Sequence, residues 1–289
     1  MNPLLDFPVL PRFAELRPEH VAPAIDRLLA DARDVVNRAE QAPPTWTAFV
    51  EPLDDANERL ARAWSQVAHL HAVMDSPELR TVYNESLPRV TQYWTELGQN
   101  LALFRKYREF RDSPGYEALG RARGKIVENA LRDFRLGGAE LSTDRKIRFI
   151  AIQRELATLS AKFSENLLDA TNAFSIVLED AQRLDGIPED ALAAAREAAE
   201  RDGKKGWKFT LHMPSWFPVM QYAKDRALRE TLYRESVTRA SELGRPERDN
   251  TPLIARILRL RNEAAQLLGY RNHAEVSLVP KMASTPEEV

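Results

Sequence analysis

Ser76 to Phe104 reads SPELRTVYNESLPRVTQYWTELGQNLALF. Its apolar residues fall at Leu79, Tyr83, Leu87, Val90, Trp94, Leu97, Leu101 and Phe104. Steps of four and three over that length put one stripe on one face of a long helix. Ser76 suits the cap and Pro77 the first turn, where a missing N–H costs nothing. The preceding residues repeat the pattern through Leu60, Trp64, Val67, His71 and Met74. The reading is two long helices joined at Ser76-Pro77.

The same reasoning extends outward. A third long helix follows Ser142-Thr143, with a stripe through Leu156, Leu159, Phe163, Leu167, Ala170 and Phe174. Further helices are expected at about 18–41, 114–135, 188–202, 225–243 and 250–268. Pro114 and Pro188 mark starts; Gly137-Gly138, Gly244 and Gly269 mark stops. Two segments break the helical pattern: Ala173 to Glu179 (AFSIVLE) and Gly206 to Met213 (GWKFTLHM). Both are rich in β-branched and aromatic residues, and the second alternates, so they read as two strands with helix 188–202 between them. Gly244 to Pro252 (GRPERDNTP) reads as a helix–helix loop. The expected fold is mostly α, a long-helix array with a small β element near 173–213. No internal boundary stands out, so residues 1–289 are expected to form a single helical region. Thr285-Pro286-Glu287-Glu288 has the form of a helix start close to Val289, which leads us to expect the native chain to continue; the other reading is a frayed tail.

Composition narrows the function classes. Among 289 residues, 41 basic and 43 acidic side chains leave a net charge of −2, without the basic excess of a phosphate-backbone binder. With no cysteine, thiolate zinc sites, disulfides and cysteine nucleophiles are excluded. Asp6 and two prolines interrupt the apolar residues of Met1 to Leu10, so no signal peptide is read. No run is long enough for a membrane helix. The expected location is cytoplasmic, with neither a nucleic-acid nor a membrane partner.

Motifs that carry catalytic chemistry are scarce in this chain. None of His20, His69, His71, His212 and His273 is followed by glutamate, so HExxH is absent. That motif would set two imidazoles one turn apart on a single zinc. His69 and His71 lie two apart, about 200° around a helix, and cannot share an ion. His71 sits on the apolar stripe and reads as a buried, hydrogen-bonded residue. Gly120 and Gly124 have GxSxG spacing but hold Ala122 between them. Phe104 to Arg111 (FRKYREFR) has two readings: a single-strand nucleic-acid surface, or a helix end with cations on the dipole and aromatics inward. Arg256, Arg259 and Arg261 read as the solvated side of helix 250–268. Trp207, Trp216, Phe217 and Tyr222 serve either a peptide groove or the core.

Whole segments carry a more specific signal. They begin with Asn2 to Phe7 (NPLLDF), Leu10 to Phe13 (LPRF) and Arg17 to Ile25 (RPEHVAPAI). Phe163 to Thr171 (FSENLLDAT), Phe217 to Ala223 (FPVMQYA) and Leu232 to Arg234 (LYR) follow in order. Leu258 to Glu263 (LRLRNE), Leu267 to Tyr270 (LLGY) and Lys281 to Ala283 (KMA) complete the set. Together they resemble the amino-terminal part of the thimet-oligopeptidase family of zinc metallopeptidases. The resemblance implies a mostly helical protein more than twice this length, whose two halves flank a channel that admits short peptides. It also implies that the zinc ligands and catalytic groups belong to a carboxyl-terminal half, so no catalytic, cofactor-binding or metal residue is assigned here. The expected function is therefore that of channel wall and scaffold, inactive alone, with zinc only in the intact enzyme. The implied partners are short peptide substrates and the catalytic half. The alternative is a naturally short, non-catalytic helical module that binds peptides or proteins.

Overall fold

The computed structural model describes residues 2–7 and 10–289. Its α-helices are α1 (Val21–Gln41), α2 (Glu51–Val73), α3 (Pro77–Gly98), α4 (Leu101–Arg111), α5 (Pro114–Glu117), α6 (Arg121–Gly137) and α7 (Thr143–Ala173). Beyond them lie α8 (Glu189–Arg201), α9 (Met213–Tyr222), α10 (Arg226–Val237), α11 (Thr251–Leu267) and α12 (His273–Leu278). Strands β1 (Ser175–Leu178) and β2 (Trp207–Thr210) flank α8 in sequence. The mostly helical fold with one small β element is the expected one. The chain divides into two compact units, Met1–Thr158 with Arg259–Val289, and Leu159–Leu258.

The first unit has two apolar cores. In the first, α1 buries Val21, Ala24, Ile25, Leu28, Leu29 and Ala32, a run of alternating three- and one-residue steps. These pack with Leu60, Ala63 and Val67 of α2 and Leu79, Val90 and Tyr93 of α3. The α2–α3 joint forms as the sequence suggests: the Ser76 hydroxyl accepts from Leu79 N at 3.2 Å and Pro77 opens the helix. Met74, read as the end of the α2 stripe, instead lies beyond the helix and is exposed.

The second core joins Phe49, Leu103, Phe104, Tyr107 and Phe110 to Val127, Leu131 and Phe134 of α6. It requires a correction: the stripe from Leu79 to Phe104 belongs to two helices. The chain breaks at Gln99, and the Asn100 side chain accepts from Leu103 N at 3.0 Å to restart it. The Asn100 amide also donates to Glu40 at 2.6 Å. At the same place α3 and α6 meet backbone to backbone. A Cβ on Gly137 would come within 2.7–2.9 Å of Gly98 backbone atoms. The expected helix 114–135 is likewise two, with Gly120 extended between α5 and α6. Gly138, at φ 89°, ends α6, and Gly269, at φ 88°, follows α11.

The second unit carries the sheet. β1 and β2 pair antiparallel, with Ser175 opposite Thr210 and Leu178 opposite Trp207. Phe209 and Leu211 point into a core with Leu178, Leu184, Ile187, Val219, Leu228 and Leu232. The turn into β2 needs glycine: Gly206 has φ 98°, and a Cβ there would fall on the Leu178 carbonyl oxygen. Pro188, expected in the first turn of α8, stands just before it at the N-cap position and makes no side-chain cap bond.

Three further expectations are corrected here. The sequence reading has no helix at α9; its Pro218 cannot donate to the carbonyl of exposed Pro214. α10 stops at Val237 rather than 243. Thr238 and Ser241 hydroxyls bond the carbonyls of Arg234 and Thr238, and Ala240 takes the left-handed turn at φ 48°. On α7, Leu167 is exposed while Asn166 is buried. Asn166 donates to Asn250 Oδ1 at 2.9 Å, and Asn250 donates to the Phe163 carbonyl at 3.0 Å.

Candidate functional site

The histidines lie apart in chemistry as well as in sequence. His71 is buried, its ring stacked on Tyr83 at 4.0 Å and its Nε2 3.9 Å from Asp75 Oδ1. Tyr83 in turn stacks on Trp64 at 4.9 Å, and Arg80 donates to Asp75 at 2.7 Å. This is a packed structural cluster, as the stripe position suggests. His69 points the other way and lies exposed beside Phe13, 5.3 Å between rings. His20 Nδ1 accepts from Arg17 N at 3.1 Å. His212 stands at the N-cap position of α9 with no side-chain cap bond, and His273 opens α12; burial and the nearby Arg261 and Lys281 hold His273 below its ordinary pKa. Among the described residues, no three His, Asp or Glu side chains are placed to hold a metal.

The basic–aromatic run 104–111 resolves into the helix-end reading. Phe104, Tyr107 and Phe110 are buried, while Arg108 and Arg111 occupy the last turn of α4. Of the three α11 arginines, Arg259 and Arg261 are exposed and Arg256 is half-buried. In a groove of about 300 Å³ between α1 and α3 every charged lining residue has a partner, Glu40 through the Asn100 amide. Arg33 pairs with Glu96 at 2.7 Å, and burial pushes the Tyr93 hydroxyl up to about 12.

The aromatic stretch of the second unit divides between the two readings. Trp216 is half-buried and donates to the Leu232 carbonyl at 3.2 Å; Trp207 is half-buried beneath the Arg196 guanidinium, 5.0 Å away. Phe217 and Tyr222 each remain 49% exposed. Sequence reasoning missed three exposed apolar pairs of the same unit. Met213 with Phe217 on α9, Tyr233 with Val237 on α10, and Ile254 with Leu258 on α11 are all exposed. Each pair is spaced i, i+4 and so shares one helix face. Amphipathic periodicity could have shown them as a second apolar face on helices that already bury another.

Comparison with known proteins gives this architecture a context. Residues 25–146 match the family model of the neurolysin/thimet oligopeptidase N-terminal domain, and residues 219–289 match that of peptidase family M3. Oligopeptidase A of Haemophilus influenzae is 43% identical over all of this chain, and so is oligopeptidase A of Escherichia coli. The chain is thus similar along its whole length to oligopeptidases of the thimet family. A more distant relative is dipeptidyl carboxypeptidase of Escherichia coli, 28% identical over 99% of the chain. The chain spans 43% of the length of each of these relatives. The N-terminal-domain match lies inside the first compact unit, whereas the M3 match runs from α9 of the second unit to Val289. The zinc that this family implies does not fit the residues present here. Their imidazoles are engaged with a backbone amide, stacked in a core, or dispersed on separate helices.

Proposed function

We propose that residues 1–289 together form the wall and scaffold of a peptide channel in a zinc metallo-oligopeptidase acting on short peptides in the cytoplasm. On this reading the chain alone does not hydrolyse peptides. The reading rests above all on one observation: identity of 43% runs through the whole chain yet accounts for 43% of the length of its oligopeptidase A relatives. The donor chemistry of this chain supports the division, since zinc hydrolysis needs converging ligands and an open position for water. The apolar pairs on α9, α10 and α11 support a surface covered in the intact enzyme, with the catalytic half as the covering body. A quenched fluorogenic peptide incubated with the purified chain tests this directly. No cleavage should appear with or without added zinc. Turnover abolished by a chelator would sink the claim that the chain is inactive alone.

A further inference from the structure

The second unit holds a cavity of about 310 Å³ whose charge nothing above accounts for. Its apolar lining includes Ala170 and Ala173 at the end of α7, Phe174 just beyond it, and Leu243. Three arginines, Arg239, Arg245 and Arg248, also line it. The only carboxylate among the lining residues is Glu235. Arg239 is held in place: its Nε donates to the Ser236 carbonyl at 2.9 Å and its NH1 to Thr171 Oγ1 at 2.9 Å. These bonds answer the electronegative ends of α10 and α7 but leave the guanidinium without a carboxylate. Arg245 lies 3.9 Å from Glu247, outside the cavity lining. Arg248 is half-buried, and its guanidinium makes no hydrogen bond or ion pair with a described residue. The turn that carries these arginines is fixed from below. Buried Ala240 is held left-handed at φ 48°, and Asn250 N donates to its carbonyl at 3.0 Å.

A guanidinium fork matches a carboxylate in two parallel hydrogen bonds. Arginines without a carboxylate partner in a cavity that also has apolar lining suit a ligand with an anionic head and an apolar body. The volume lies at the small end of the range for small-molecule pockets. We propose that this cavity binds a small organic carboxylate with an apolar body. Arg248 and Arg239 take the carboxylate, and Phe174 and Leu243 pack against the body. The site is independent of the zinc chemistry and makes or breaks no covalent bond.

Amide chemical shifts of the 289-residue chain, titrated with N-acetyl-leucine, test it. Parallel titrations use N-acetyl-leucinamide, which lacks the charge, and inorganic phosphate, which lacks the body. The expected result is saturable shifts at 170–174 and 235–248 with N-acetyl-leucine, and much weaker ones with the other two. R248Q should weaken binding about tenfold, the loss expected from one charge-assisted hydrogen bond. This variant is chosen because Arg248 supports no other residue, whereas R239Q would also loosen the turn. L243D should weaken binding through the apolar lining. The proposal is overturned by the absence of saturable shifts, by equal binding of the amide, by phosphate binding as tightly, or by R248Q binding like the parent.

Discussion

Gly206 shows how one residue can decide a local fold. It stands at φ 98°, and the Leu178 carbonyl occupies the space a side chain would need. G206A should destabilise the chain by about 2–4 kcal/mol, combining left-handed strain with a backbone clash. G203A is the control, because Gly203 is left-handed with open space around it and should cost about 1 kcal/mol. Urea unfolding of both variants separates strain from clash. Asp225 makes a second residue-scale case. It caps α10 by accepting from Leu228 N at 3.0 Å and pairs with Arg183 at 2.7 Å. The backbone bond first, and then Arg183, hold its carboxyl below the ordinary 3.8. A depressed folded pKa means the stabilisation is present above the unfolded value and fades as pH falls through the folded one. D225A should therefore cost about 1 kcal/mol at neutral pH, and the gap to the parent should narrow below about pH 4. Urea midpoints measured at the two pH values check both statements. Position 206 was visible in the sequence only as a strand boundary. The carbonyl that forbids a side chain there comes from β1, which periodicity does not place.

At the scale of elements, periodicity reads faces well and interruptions poorly. Leu97, Leu101 and Phe104 all turn inward although α3 and α4 are separate, so the stripe continues through the break and conceals it. Asn100 was the available sign, a capping residue three positions before a buried leucine. N100A removes both the bond from Leu103 N and the bond to Glu40, and should destabilise the chain by about 1–2 kcal/mol. N100S restores the cap alone and should fall between the two in thermal unfolding. An N100A variant as stable as the parent would mean that packing of Leu103 and Phe104 sets the break by itself. The β pair was legible because its alternation has no helical rival; Trp207, Phe209 and Leu211 do face one way. α9 was not, because Pro218 argues against a helix interior and the core around Val219 overrides it, while Pro214 sits in the first turn where proline is tolerated. The end of α10 was misplaced because short hydroxyl side chains, not Gly244, terminate it. The arginine-lined cavity was hidden for the same reason: Arg245 and Arg248 read as loop charges until the turn at Ala240 brings them beside α7.

For the whole molecule, the question is what surface the chain leaves to water. Most of its long helices spend one face on a core, and single exposed apolar residues are ordinary. Three i, i+4 apolar pairs on α9, α10 and α11 of the same compact unit are a different matter. Tyr233 and Val237 are 55% and 58% exposed on a helix whose other face already buries Leu228 and Leu232. Such a face contributes nothing to the stability of the isolated unit, because its apolar area is not removed from water. It gains free energy only when another surface covers it. In the isolated chain, the available surface is a second copy. The chain should therefore self-associate as its concentration rises, with a sedimentation coefficient that increases over the range. Y233K/V237K should suppress that increase. The substitutions touch no core residue, so the thermal midpoint at low concentration should stay close to that of the parent. A chain that sediments as a monomer at every concentration would show that water covers this face adequately, and would remove the support it lends to a partnered scaffold. Association that persists in the double variant would move the contact to another apolar pair, with Met213 and Phe217 the next to test.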